Sequence, residues 1–133
     1  MALQQIISPV DGSVYAERTT VSPDELQSVL TAAEAARAGW RDTPLARRAE
    51  ICESMVQHLE SVADDIAVEL AHQMGRPVRF GGNEIRRGFQ ERARHMVALA
   101  AEALADIPVD SPAGFHKFIR RDPLGSVLVV APW

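Results

Sequence analysis

The sequence predicts a mainly α-helical chain bracketed by strands, and three observations predict it. From Ser22 to Leu104, helix-start signals are followed again and again by apolar residues three and four apart. Stretches around residues 5–17 and 107–121 carry turn clusters flanked by strand-forming residues, the pattern of β-hairpins. Finally, Val127 to Ala131 is an unbroken, largely β-branched apolar run behind the turn Asp122-Pro-Leu-Gly125. Such a run suits a parallel strand covered on both faces.

The first hairpin is read from Gln5-Ile6-Ile7, the turn cluster Ser8-Pro-Val-Asp-Gly12 and Val14-Tyr-Ala-Glu17. It has too little apolar area to stand alone. Ser22 and Pro23 then supply an N-cap and a first-turn proline, and Glu25 completes a capping box. Leu26, Val29, Leu30 and Ala33 share one face of the helix that follows, with Gly39 as its expected end and Trp40 packing at the exit. Thr43-Pro44 repeats the start signal, and Leu45, Cys52, Met55, Val56 and Leu59 form the next apolar face. The pattern slips at Glu60-Ser61, where Ser61 is expected to cap a third helix, with Asp64 and Asp65 near its positive end. Its stripe is Val62, Ile66, Leu70 and Met74, and Gly75 and Pro77 stop it. After a break at Gly81-Gly82, Asn83 is the expected N-cap of a long helix striped by Ile85, Phe89, Met96, Val97, Ala100 and Leu104. The four stripes are expected to pack together.

Ile107-Pro-Val109 and Phe115 to Arg121 can pair as a second hairpin around Asp110-Ser-Pro-Ala-Gly114. Its alternation leaves neither face clean, so both faces need an outside surface. No internal repeat, low-complexity tract or long linker divides the chain.

Composition excludes more than it identifies. A net charge of −4 argues against a nucleic-acid or anionic-membrane surface as the main partner, because both select for basic surplus. No apolar stretch approaches the roughly 20 residues of a membrane span, and the N-terminus has no signal-peptide pattern, so a cytoplasmic location is expected. The single cysteine allows no internal disulfide or thiolate cluster.

The search for chemistry within these residues comes back nearly empty. Cys52 sits a turn from Met55 and Val56 on an apolar face, where a thiol behaves as a small hydrophobe, so it is read as core. His58, His72, His95 and His116 are too widely spaced for paired metal ligands and are read as surface or boundary residues. Asp64 and Asp65 point about 100° apart on a helix and do not converge for acid–base work. Arg86, Arg87, Arg92 and Arg94 are diluted by Glu84 and Glu91 and lack interleaved aromatics, so they read as a solvated face. Gly75, Gly81, Gly82 and Gly88 match no phosphate-cradling spacing and read as caps and breaks. No catalytic and no metal-ligating residue is assigned.

Three motifs carry a resemblance. Arg121-Asp-Pro-Leu-Gly125 with the apolar run and Pro132-Trp133 resembles the R-x-P-x-G-V…P-W-N segment of the aldehyde dehydrogenase superfamily. Ile7-Ser-Pro-Val-Asp-Gly-Ser-Val-Tyr15 is similar to that family's N-terminal hairpin, and Gly75-Arg76-Pro77 to its G-K-P turn. The resemblance implies an α/β aldehyde dehydrogenase-like fold of which this chain is the N-terminal quarter or so. Residues 1–106 would be the hairpin and helical part of the cofactor-binding domain, 107–122 the oligomerisation arm, and 123–133 the first, truncated strand of a Rossmann-type dinucleotide-binding sheet. It implies NAD or NADP as cofactor, with Val130, Ala131, Pro132 and Trp133 on the nicotinamide side of the cleft. The partners it implies are other subunits through the arm, or the remainder of the dehydrogenase. The family's nucleophilic cysteine, general-base glutamate and oxyanion-hole asparagine have no counterpart in these residues, and Cys52 does not inherit the nucleophile's role. No tight cofactor binding and no turnover are therefore expected of this chain alone, and a non-catalytic helical interaction module is the rival reading.

Overall fold

The structure, a computed structural model, describes residues 2–131. Leu3–Ile7 (β1) and Val14–Thr19 (β2) form an antiparallel hairpin running from Leu3 opposite Thr19 to Ile7 opposite Val14, with an irregularity at Ile6/Ile7. Four helical rods follow: Pro23–Asp42 (α1), Leu45–Ser61 (α2), Ala63–Met74 (α3), and a continuous rod of Val78–Asn83 (α4), a π-helical Glu84–Phe89 and Gln90–Ala103 (α5). Ile107–Val109 (β3) and Lys117–Ile119 (β4) make a second antiparallel pair, with Ile107 opposite Ile119. Helix thus occupies more than half the chain, and both expected hairpins form.

Local chemistry explains most boundaries. The capping box is closed from both sides: the Glu25 amide donates to Ser22 Oγ at 3.2 Å, and the Ser22 amide donates to Glu25 Oε2 at 2.8 Å. Gly75 ends α3 in the left-handed region (φ 76°), its amide donating to the Ala71 carbonyl at 2.9 Å. Other expected boundaries need correction. Gly39 does not end α1, which continues to Asp42. Thr43 closes it instead, its hydroxyl donating to the Gly39 carbonyl at 2.8 Å. That hydroxyl is spent on the helix before, and α2 starts without a side-chain cap. Ser61 caps nothing ahead of it: it is the last residue of α2, bonded back to the His58 carbonyl at 2.7 Å, and Val62 is the hinge to α3.

The largest correction concerns Gly81 and Gly82, which are buried within a helix and break nothing. A Cβ placed on Gly81 would lie 2.7 Å from both Cα and Cβ of Ala67, so the absent side chain lets α4 press directly onto α3. Asn83 is accordingly an interior helical residue (φ −72°, ψ −23°) and caps nothing. Val56, Ala63 and Ala67, exposed by 2% or less, form the buried apolar centre where α2, α3, α4 and α5 meet. Arg94 of α5 binds across it to α2, with Nε 2.9 Å from Glu53 and Nη2 3.5 Å from Glu60. Arg86 reaches Asp64 of α3 at 2.8 Å. Arg94, read as part of a solvated face, is thus a half-buried interhelical clamp, whereas Arg86, Arg87 and Arg92 are exposed as expected.

One expected burial does not occur, and one segment stays uncovered as a strand without neighbours must. The α1 stripe stays open, with Leu26, Val29 and Leu30 each more than half exposed. The expected terminal strand Val127–Ala131 has no regular secondary structure, because no neighbouring strand among the described residues offers its backbone a ladder. The chain as a whole exposes 10667 Å². A compact monomer of this length would expose about 6,900 Å².

Candidate functional site

The segment that the motifs single out is positioned from two sides. The Arg121 guanidinium donates to the Ala103 carbonyl, placing a cation on the negative end of α5 and tying the second hairpin to the helical rods. The turn that follows lies against the last turns of α1. Pro123, Gly125 and Ser126 share a recess of about 200 Å³ with Ala33, Ala36, Arg37 and Trp40. Gly125 holds φ 102°, and a Cβ there would meet Arg37 Nε at 3.3 Å. Trp40 does pack near the exit of its helix, half-exposed, on the side of this terminal segment.

Beyond Ser126 the chain opens to solvent. Val127, Leu128, Val129 and Val130 are 70–87% exposed, and Ala131 is exposed as well. Pro132 and Trp133 lie outside the described residues. Of the four expected cofactor-lining residues, Val130 and Ala131 are therefore placed as an open apolar ledge with unpaired backbone. Arg37, Arg41, Arg120 and Asp122 line a recess of about 370 Å³ with Pro123, on the turn that leads into the ledge. Arg37 and Arg41 are already paired, with Glu34 at 2.9 Å and Asp42 at 3.0 Å.

Away from this ledge, polar chemistry serves the fold. Ser8 is fully buried in the first hairpin turn, its Oγ 3.4 Å from His72 Nδ1 and accepting the Val10 amide at 3.2 Å. The His72 ring stacks on Tyr15 at 4.6 Å, and the Tyr15 hydroxyl donates to Glu69 at 2.8 Å. That hydrogen bond raises the tyrosine's pKa and, together with Gln73, lowers that of the glutamate. Ser8 is fully buried beneath an exposed turn, so the serine–histidine contact gives no substrate an approach to the hydroxyl, and this cluster is a latch that docks the hairpin on α3. Pro9 against Gly75 is part of the same contact. The latch escaped the sequence reading because its halves lie 64 residues apart. The π-helical turn and the α3–α4 crossing were missed too; Gly81-Gly82 was the available signal for the latter.

Cys52 is half-buried in α2, on the edge of the core that was expected to enclose it. His58, His95 and His116 are exposed as expected, and among the described residues no cluster of His, Cys, Asp and Glu could hold a metal ion. An open cleft of about 760 Å³ runs between α3 and the π-helical rod, floored by Ile66, Leu70, Phe89 and Met96. No helix among the described residues is long and apolar enough to cross a membrane.

Comparison with known proteins decides what this arrangement is part of. The aldehyde dehydrogenase family model matches residues 2–133. The chain belongs to the aldehyde dehydrogenase family. Similar curated relatives include a succinate-semialdehyde dehydrogenase [NADP(+)] 1 of Mycobacterium tuberculosis, 29% identical over 131 residues that make up 96% of this chain and 28% of the relative. One of the same description from Mycobacterium ulcerans is 30% identical over 132 residues, covering 95% of this chain and 28% of its own. The chain thus spans a little over a quarter of the length of the relatives it matches. The fold agrees with solved family structures. PnpE in complex with nicotinamide adenine dinucleotide superposes with a TM-score of 0.81 at 19% identity, over 92% of this chain and 25% of that one. A NAD-dependent benzaldehyde dehydrogenase from Corynebacterium glutamicum gives 0.74 at 23% identity, over 85% and 24%. Within this family the helical rods and the two hairpins correspond to the N-terminal part of a much longer α/β fold.

Proposed function

We propose that these residues are the N-terminal scaffold of an NAD(P)-dependent enzyme that oxidises an aldehyde to a carboxylate. The observation that carries this reading is the match of the family model to essentially the whole chain. In this reading residues 1–106 form the hairpin and helical part of the cofactor-binding domain. Residues 107–122 form the oligomerisation arm, and 123–133 begin the dinucleotide-binding sheet. When bound, the dinucleotide accepts a hydride from the substrate. The part this chain plays is placement: Val130 and Ala131, with Pro132 and Trp133 after them, line the nicotinamide side, while α1 and the second hairpin fix where that ledge lies. The exposed apolar α1 stripe and the unpaired Val127–Ala131 backbone are then surfaces for the remainder of the enzyme and for neighbouring subunits. A cytoplasmic setting fits the reading.

On their own the 133 residues do not turn over, because the one thiol, Cys52, lies on a helix among apolar neighbours, with no histidine or carboxylate hydrogen-bonded to it among the described residues. The names of the mycobacterial relatives make succinate semialdehyde and NADP+ the first pair to try. The test joins residues 1–133 to the part of the Mycobacterium tuberculosis relative that follows its matched segment, and measures aldehyde-dependent NADPH formation. An active chimera, beside a silent 133-residue chain, is the expected result. In the chimera Val130→Arg should raise the KM for NADP+ without lowering the melting temperature. A folded chimera silent with every aldehyde tried would sink the reading. It would favour the rival, a non-catalytic helical module that assembles through the surface left open here.

A further inference from the structure

We draw no further inference here: the strongest candidate, the open apolar cleft between α3 and the π-helical rod with Arg76 and Arg92 at its rim, carries nothing because nothing in the structure shows what covers it.

Discussion

The junction of α2, α3, α4 and α5 and the outer pair formed by α1 and the terminal segment are built from the same kind of sequence, yet only the first is closed. Both have apolar residues at helical or strand periodicity, and both are well punctuated by turns. At the junction the stripes meet through small residues: Gly81 rests on the backbone of Ala67, Ala63 is buried a turn before it in α3, and Val56 fills the centre. On α1 the Leu26, Val29 and Leu30 stripe is more than half exposed, and Leu128 and Val129 stand more than four-fifths exposed. Periodicity therefore states which face is apolar and is silent on what covers it. Closure depends on residues that permit close approach, and these carry no periodic signal.

Glycine substitutions separate the two regions most sharply. Gly81→Val must drive side-chain atoms into the Ala67 backbone, which a Cβ alone would approach to 2.7 Å. The expected cost is about 3 kcal/mol, with loss of the cooperative urea transition. Gly39→Ala lies inside α1 with nothing within 4 Å of the new Cβ. It should stabilise by about 0.5–1 kcal/mol, because alanine restricts the unfolded chain and favours helix. Equal effects at the two sites, by urea titration followed by circular dichroism, would mean that α4 does not rest on α3.

Truncating one methyl-bearing side chain in each region is the next test. Val56 is 1% exposed, so Val56→Ala removes buried methyls, leaves a cavity and should cost about 2 kcal/mol. Val29 is 60% exposed in these residues, and Val29→Ala should stay within about 0.5 kcal/mol. A large loss at Val29 in the isolated chain would show that the α1 stripe is covered by something in solution, a second copy being the first suspect.

What could be read from the sequence follows the same division. Both hairpins, the Ser22–Glu25 box and the Gly75 stop were legible because each rests on neighbours in sequence. Thr43 and Ser61 were misassigned because a hydroxyl between two helices can bond in either direction, and each bonded backward. Gly81-Gly82 was taken for a break because glycine's low helix propensity is local, whereas its value here comes from contact with Ala67. The open state of Val127–Ala131 was legible too, because a strand of this composition requires a neighbour that these residues do not supply. The site residues were found by resemblance alone.

The unpaired run offers a smaller, more practical test of the open region. An apolar segment with free backbone edges recruits other strands. Val129→Lys places a charge in the middle of that edge and should shift the isolated chain toward monomer and raise its solubility. Sedimentation of both forms over a range of concentrations reads this directly. A wild-type chain that stays monomeric at high concentration, with 127–131 protected from hydrogen exchange, would show that the run is satisfied within the chain.

The hairpin latch joins a region of local pairing to the closed junction, and its expected pH response is the mildest effect. Glu69 is held below its usual value of 4.5 by the Tyr15 and Gln73 hydrogen bonds, and Asp11 below 3.8 by the side chain and amide of Ser13. Groups with depressed folded-state pKa contribute stability above their unfolded values, and that contribution is lost as pH falls through the folded ones. Tyr15 lies above its usual 10.0 through its bond to Glu69, so its contribution holds below that value and is lost as pH rises through the folded one. Docking should therefore be strongest across the neutral range and weaken at both extremes. Asp11 and Glu69 are exposed and Tyr15 is only half-buried, so the change should appear as earlier exchange of the Ser8 and Gly12 amides, both hydrogen-bonded in the turn, and not as global unfolding. Tyr15→Phe should abolish the alkaline limb and soften the acid one. Glu69→Gln, which retains an acceptor for the tyrosine, should soften the acid limb and leave neutral-pH docking nearly intact. Protection of those amides, relative to the intrinsic exchange rate at each pH, that is flat from acid to alkaline pH in the wild type would show that the hairpin is held by Pro9, Ser8 and the Tyr15–His72 stack alone.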